Sequence, residues 1–194
     1  QSLDYLLAIG TTLGGPNTSL RLFCNLSPKL PIAAVVVQEI SPKILPAFVK
    51  KFDEYVPWKV EVARDGAVLE QGVCYVSSYE NTITFQVNSN REVCLQIGTA
   101  SDKPLDALFA STADIFGRHA IGLLLTGIGN DGTEGFAKVK KNSGTTIAQE
   151  VETCVYPNLI QCAVERGVVD WVVNENELST TIAALIENTA HAEV

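Results

Sequence analysis

The sequence has few of the residues from which metal sites and covalent cross-links are usually built. Its 194 residues include no methionine, two histidines and two tryptophans. The five cysteines are an odd number without a C-x-x-C pair, which argues against a zinc site and a complete disulfide framework. We therefore expect mostly buried thiols in a reducing cytoplasm and no metal or other cofactor. The missing methionine at position 1 is consistent with a domain cut from a longer chain, which leaves room for an upstream regulatory domain.

Basic clusters and long apolar runs are also missing. Lys and Arg number 14 against 22 Asp and Glu, which gives a formal charge of −8. An acidic chain without a basic patch argues against nucleic acid as a partner. No apolar run reaches about 18 residues, so we expect no membrane insertion. No secretory leader is recognisable, and the expected location is the cytoplasm.

Apolar runs alternate with segments of helical periodicity through most of the chain, and the hydrophobic share is 46%. Strands are predicted at 5–9, 32–38, 120–125, 145–148 and 168–173. Helices are predicted at 16–26, 42–55, 104–116, 133–142, 157–166 and 177–188. This alternation predicts a doubly wound α/β fold, with a mostly parallel sheet and helices on both faces. The length fits a single domain over residues 1–194.

The middle of the chain, about 59–97, has a different character. Short strand-like runs are separated by turn residues at 65–66, 71–72 and 88–90. Such spacing is typical of strands joined by hairpins. We therefore expect an antiparallel hairpin meander, inserted at one edge of the sheet within the same domain.

A glycine-rich turn follows the first predicted strand. Gly10-Thr11-Thr12-Leu13-Gly14 has the spacing of a G-x-S-x-G nucleophile turn, with threonine in the serine position. Thr12 would then lie at the carboxyl end of a strand and beside a helix N-terminus, where open α/β sheets bind ligands. The alternative is a glycine-rich turn without chemistry. A dinucleotide fingerprint fails on spacing, and a P-loop fails because no Gly-Lys-Ser/Thr follows.

Two acidic residues follow other predicted strands, and with them the sequence resembles a known family. Glu39 follows VVVQ, and Asp131 lies within LLTGIGNDGTEG. Together with AIGTTLGGP, KPLDALFASTADIFG, GTTIAQE and ERGVVDWV, these segments resemble the catalytic domain of the chemotaxis protein-glutamate methylesterase (CheB) family. The resemblance runs from about residue 7 to residue 173.

The resemblance implies hydrolysis of glutamate methyl esters on chemotaxis receptors, with release of methanol, by a serine, a histidine and an aspartate. Those positions fall on Thr12, Glu39 and Asp131, so two of the three residue types differ. Leu13 replaces a threonine, and Ile128 replaces a methionine whose main-chain N–H is expected to help form the oxyanion hole. The resemblance also assigns Gly14, Gly15, Ile128 and Asn130 to substrate binding.

The substitutions bear on whether the family reaction can proceed. A hydroxyl needs a neighbouring base that is itself held by a third group, and loss of general acid–base help costs about 10²–10⁴ in rate. Glu39 beside Asp131 brings two like charges together, whereas a histidinium would be stabilised there. We therefore expect a non-catalytic binding or regulatory module. Its expected partner is a methyl-accepting chemotaxis receptor, a chemotaxis signalling protein or a receiver domain. A residual ester hydrolase that uses Thr12 with Glu39 and Asp131 is the alternative.

Other interpretations of the same residues stay open at this point. Thr12, Glu39, Asp131 and Asn130 could form an all-oxygen site for Mg²⁺ or Ca²⁺, or the two carboxyl groups could share a proton. Asp131 could also be an N-cap of the helix that follows it. The glycines could be turn formers only. His119 and His191 are expected to be structural, because neither is predicted near the turn at Thr12.

Overall fold

The computed structural model describes the backbone of residues 3–192 and the side chains of residues 3–188. Its strands are β1 (Tyr5–Gly10), β2 (Ile32–Gln38), β3 (Lys59–Val62), β4 (Val73–Ser78), β5 (Thr82–Val87), β6 (Val93–Gly98), β7 (Ala120–Leu124), β8 (Thr145–Gln149) and β9 (Trp171–Val173). Its helices are α1 (Gly15–Asn25), α2 (Leu45–Tyr55), α3 (Pro104–Phe116), α4 (Thr133–Lys141), α5 (Asn158–Glu165) and α6 (Leu178–Ala192). None of these helices is long and apolar enough to cross a bilayer in the part that the structure describes.

Seven strands form one parallel sheet in the order β3-β4-β2-β1-β7-β8-β9. Every residue of β1, β2 and β7 is buried, because helices cover both faces of the sheet. Alternate residues of β1 and β2 belong to two separate apolar clusters, one on each face. The predicted doubly wound α/β fold is confirmed.

The middle strands differ in detail from the predicted meander. β3 and β4 pair in parallel and form one edge of the main sheet, with β4 beside β2. Of the nine described strands, only β5 and β6 pair in an antiparallel hairpin, and they make a separate two-stranded sheet that packs against α3. An isolated antiparallel bridge joins Val68 to Cys94 of β6. Turn residues between short strands are equally compatible with a hairpin and with a longer return to a parallel neighbour, so the local pattern could not separate the two.

Parallel pairing places the carboxyl ends of the central strands at one edge of the sheet. Gly10 of β1 is paired with Val37 of β2 and with Leu124 of β7. The loops after these three strands therefore begin side by side. They carry Thr12, Glu39 and Asp131, respectively.

Candidate functional site

Thr12 lies just beyond the carboxyl end of β1 and is only 4% exposed. Its Oγ1 accepts a hydrogen bond from the main-chain N–H of Ile128 at 2.7 Å. The same hydroxyl donates to the carbonyl oxygen of Ile128 at 3.3 Å. A carbonyl oxygen is not a base that could remove the hydroxyl proton, and the N–H expected for an oxyanion hole is already engaged by Thr12 itself.

A second loop holds this arrangement in place. The Thr11 hydroxyl donates to the carbonyl oxygen of Thr126 at 2.6 Å, and the Thr126 N–H donates to the buried Gln149 side chain at 3.0 Å. Gly127 donates its N–H to the carbonyl oxygen of Tyr156 at 2.8 Å. The loops after β1, β7 and β8 are thereby tied together. These bonds hold the main chain of residues 126–128 in place beside the Thr12 hydroxyl.

Gly127 permits the close approach of these loops, and its replacement gives a testable expectation. A Cβ at this position would lie 2.5 Å from Thr12 Oγ1 and 2.8 Å from Leu159 Cδ2. We expect Gly127→Ala to lower the free energy of unfolding by about 2 kcal/mol, since the loop must shift and its buried hydrogen bonds must lengthen. Urea denaturation measures the change. Gly98→Ala is the matched control, because a Cβ there meets atoms only at 3.7 Å; equal losses for the two variants would contradict the expectation.

Asp131 is also 4% exposed, and its carboxylate accepts four hydrogen bonds. Oδ2 accepts from the N–H of Leu105 at 2.8 Å and from the Tyr79 hydroxyl at 3.0 Å. Oδ1 accepts from the N–H of Asp106 at 2.9 Å and from its own neighbour Gly132 at 2.7 Å. Four donors fill the acceptor sites of an ionised carboxylate. Asp131 therefore has no lone pair left for an imidazole or a cation.

Two of those donors belong to the first turn of α3, so Asp131 caps that helix from a neighbouring loop. Asp106, within the same turn, returns the interaction by accepting from the N–H of Gly135 in α4 at 2.8 Å. Partial burial raises the pKa of Asp106, and the nearby Asp131 carboxylate adds to the rise. Asp131 was predicted as an N-cap of the helix that follows it, which is α4. It caps α3 instead, and α4 begins after Gly132 without a side-chain cap.

Glu39 is exposed, and within the described side chains it makes no hydrogen bond or ion pair. Glu39 forms no hydrogen bond with the Thr12 hydroxyl, and it therefore does not orient that hydroxyl. The group that reaches Asp131 is Tyr79, which directly follows β4. Burial raises the pKa of the Tyr79 phenol, and the charges of Asp131 and Glu39 raise it further. Tyr79 was not among the residues predicted for the site. Glu39 was identified because it follows the carboxyl end of a strand, and Tyr79 follows the carboxyl end of β4 in the same way.

The four residues that the family resemblance assigns to substrate binding differ in burial and in backbone conformation. Gly14 precedes α1 with φ of 83°, a conformation that favours glycine. Gly15 is buried at the start of α1, where a Cβ would collide with the Thr11 side chain. Ile128 is exposed through its side chain, and the Asn130 side-chain oxygen accepts from Lys103 Nζ.

The oxygen-ligand hypothesis for a cation fits this geometry poorly. Asp131 is surrounded by N–H and O–H donors, and the Asn130 oxygen faces an ammonium group. A cation would have to displace these donors. Within the described residues, no group of three or more His, Cys, Asp or Glu side chains is placed to hold a metal ion.

The histidines supply no base to Thr12 among the described side chains. His119 precedes β7 at its amino end and packs on Tyr5, with ring centroids 4.7 Å apart. Because β1 rises about 3.3 Å per residue, His119 is roughly 16 Å from the edge that carries Thr12. The side chain of His191 lies outside the described residues.

Comparison with known proteins places this arrangement in a family. The sequence profile described as CheB methylesterase matches residues 7–182. The chain is similar to a protein-glutamate methylesterase/protein-glutamine glutaminase of Pyrococcus horikoshii, at 29% identity over 93% of this chain and 50% of the relative. A relative of the same name from Moorella thermoacetica is 30% identical over 93% of this chain and 44% of its own length. The chain therefore spans about half the length of these curated relatives.

Among solved structures, the Thermotoga maritima CheB methylesterase catalytic domain superposes with a TM-score of 0.88 at 28% identity. The match covers 94% of this chain and 99% of that domain. The profile match spans most of the sequence, and the structural match covers nearly all of both chains. This chain belongs to the CheB methylesterase family.

Proposed function

We propose that this chain is a catalytically impaired CheB-type domain that acts as a non-catalytic binding module in cytoplasmic chemotaxis signalling. One observation carries the proposal: the Thr12 hydroxyl is hydrogen-bonded to both main-chain groups of Ile128 and, among the described side chains, to none that could act as a base. A poor nucleophile whose proton faces a carbonyl has no route to ionisation.

The state of the other two triad positions supports the same proposal. A triad aspartate must hold and orient the base, but the Asp131 carboxylate is filled by three main-chain donors and Tyr79. Glu39 is exposed and makes no hydrogen bond among the described residues. The three side chains lie on adjacent loops without forming the relay that ester hydrolysis needs.

The family membership suggests the partners. The proposed partner is a methyl-accepting chemotaxis receptor or another chemotaxis signalling protein, because the curated relatives are protein-glutamate methylesterases. A receiver domain is the further possibility that the longer relatives raise. The retained sheet and loops argue that a binding surface can persist after the chemistry is lost.

The test pairs a catalytic assay with a binding assay. Purified protein is incubated with a receptor-derived peptide that carries a glutamate methyl ester, and methanol is measured by gas chromatography against buffer. The Thermotoga maritima catalytic domain serves as the active control. We expect no methanol above background, together with measurable binding to a purified receptor signalling domain by calorimetry. Methanol release by this chain would instead support the residual hydrolase that uses Thr12, Glu39 and Asp131.

A further inference from the structure

Strand β9 is the last strand of the main sheet, and its outer edge carries exposed apolar side chains. It pairs with β8 on one side, and on the other side it has no strand partner in the described part of the chain. Trp171 and Val172 of this strand are 54% and 53% exposed. Because consecutive side chains of a strand point to opposite faces, the edge is apolar on both faces of the sheet. An exposed apolar edge strand is a template for pairing with another strand.

The opposite edge of the sheet, strand β3, differs in this respect. It carries Lys59 and Glu61, whose side chains are 62% and 40% exposed and form an ion pair. Charged side chains are one of the features by which proteins keep an edge strand from pairing with another chain. The three residues of β9 include no charged residue. Of the two edges of this sheet, β9 is therefore the one suited to a further strand.

The surroundings of β9 contain few charges that are free to repel a partner. Asp170, before the strand, forms an ion pair with Lys140, and Glu175, after it, forms one with Arg21. A groove of about 360 Å³ lies between β9 and α6. It is lined by β9 and by Glu177, Thr181, Ala184, Leu185 and Asn188. Of these described lining residues only Glu177, at one end of the groove, is charged.

The main chain of β9 directs one residue fully outward. Val173 turns its carbonyl oxygen toward β8, where it accepts from the N–H of Glu150 at 2.8 Å. Main-chain groups alternate in direction along a strand, so the N–H and C=O of Val172 point away from β8. In an antiparallel pair, two residues that lie directly opposite each other can exchange both of these bonds. Val172 can therefore form such a pair with Val172 of an identical strand.

We infer that β9 pairs antiparallel with β9 of a second copy of this chain, about a two-fold axis at Val172. A second copy fits because the segment is complementary to itself when reversed. This register places Trp171 opposite Val173, and Asp170 opposite Asn174, so that no like charges lie opposite each other along the paired strands. The two Glu177 side chains lie at opposite ends of the interface, because the strands that precede them run in opposite directions.

The proposed dimer has one continuous sheet with two separate candidate sites. Three strand spacings separate β9 from β1 in the sheet, so the interface leaves the loop of Thr12 uncovered. Because the two halves of the sheet run antiparallel, the edges that carry Thr12 face in opposite directions. The dimer does not depend on the proposed function, and an active esterase could form it equally well.

The mass of the chain in solution and its tryptophan fluorescence test the inference. Light scattering after size-exclusion chromatography is expected to give twice the mass of one chain, and a mass that falls on dilution. The chain has two tryptophans, and Trp58 is only 2% exposed. A shift of the emission to shorter wavelength with rising concentration therefore reports burial of Trp171 in the interface.

Two charge variants at the two-fold axis test the register. Val172→Lys and Val172→Glu each place like charges directly opposite each other, and each is expected to raise the dissociation constant of the dimer at least about tenfold. An equimolar mixture of the two variants is expected to dimerise again, because Lys then lies opposite Glu. Val87→Lys is the matched control, since Val87 of β5 is also 53% exposed, and it should dimerise like the parent. Circular dichroism checks that every variant is folded.

Three results would overturn the inference. One is a parent chain that remains a monomer at concentrations up to about 1 mM, which would leave the edge of β9 to a strand of another protein. Another is a dimer that Val172→Lys and Val87→Lys weaken equally, which would place the interface elsewhere. The third is a mixture of the Lys and Glu variants that stays monomeric, which would exclude pairing at Val172.

Discussion

Replacing Asp131 with alanine is expected to lower the free energy of unfolding by about 3–5 kcal/mol, because several buried donors would lose the carboxylate that accepts from them. The carboxylate accepts from three main-chain N–H groups and the Tyr79 hydroxyl while only 4% exposed. Alanine would leave these donors without an acceptor, and each unsatisfied buried donor costs about 1–3 kcal/mol. The first turn of α3 would also lose its cap. Urea denaturation followed by circular dichroism measures the change.

The neighbouring residue supplies the control for this prediction. Asn130 is exposed, and its side chain bonds only to Lys103 among the described contacts. Asn130→Ala should therefore change the free energy of unfolding by no more than about 0.5 kcal/mol. If Asp131→Ala were as stable as the parent, the capping of α3 by Asp131 would contribute nothing to the free energy of unfolding.

The stability role of Asp131 is a reason for an aspartate at this position that does not depend on catalysis. Thr12 and Glu39 have no comparable set of buried partners. Glu39 is exposed, and the Thr12 hydroxyl bonds only to Ile128 among the residues that the structure describes. A substitution at Glu39 removes no hydrogen bond or ion pair among the described side chains, and one at Thr12 removes the two bonds to Ile128. A substitution at Asp131 disrupts the junction of α3 and α4, whose first turns are linked through Asp131 and Asp106.

Much of the fold could be predicted because its core elements have strong local patterns. The continuous apolar runs of β1, β2 and β7 predicted central parallel strands, and α3 has the predicted bounds. Other helix and strand boundaries differ from the predicted ones because of local interactions. Helix α2 begins at Leu45, after a turn, with Pro46 in its first turn. Strand β9 begins at Trp171 because Val168 still bonds back to Ala163 at the end of α5.

The partners of each site residue could not be predicted, because they depend on contacts between distant segments. The topology of a parallel sheet explains why Thr12, Glu39 and Asp131 share one edge. No local signal indicates that Asp131 caps α3, a helix that begins 27 residues earlier in the chain at Pro104. The position of Tyr79 depends on β4 pairing with β2, which is also the pairing that the hairpin prediction missed.

Tyr79 suggests that restoring the serine and histidine of the family pattern is insufficient for catalysis. A histidine at position 39 would need the Asp131 carboxylate as its third group, but Tyr79 donates to Oδ2 at 3.0 Å. Tyr79→Phe would remove that donor while keeping the ring that packs in the apolar cluster around α3. Thr12→Ser would remove a methyl group and let the hydroxyl leave Ile128, so that the N–H of Ile128 becomes available to an oxyanion.

The triple variant Thr12→Ser, Glu39→His, Tyr79→Phe is therefore expected to hydrolyse a glutamate methyl ester about 10²–10³-fold faster than the parent background, within the range that general acid–base help supplies. The double variant without Tyr79→Phe should gain at least tenfold less, because Asp131 stays engaged. Methanol release under single-turnover conditions measures both rates. The matched control carries Ala at position 12 with the same two other changes, and it should stay at background because it has no nucleophile. A triple variant as slow as this control would contradict the expectation that an imidazole at position 39 and a released Asp131 carboxylate are sufficient for ester hydrolysis by a serine at position 12.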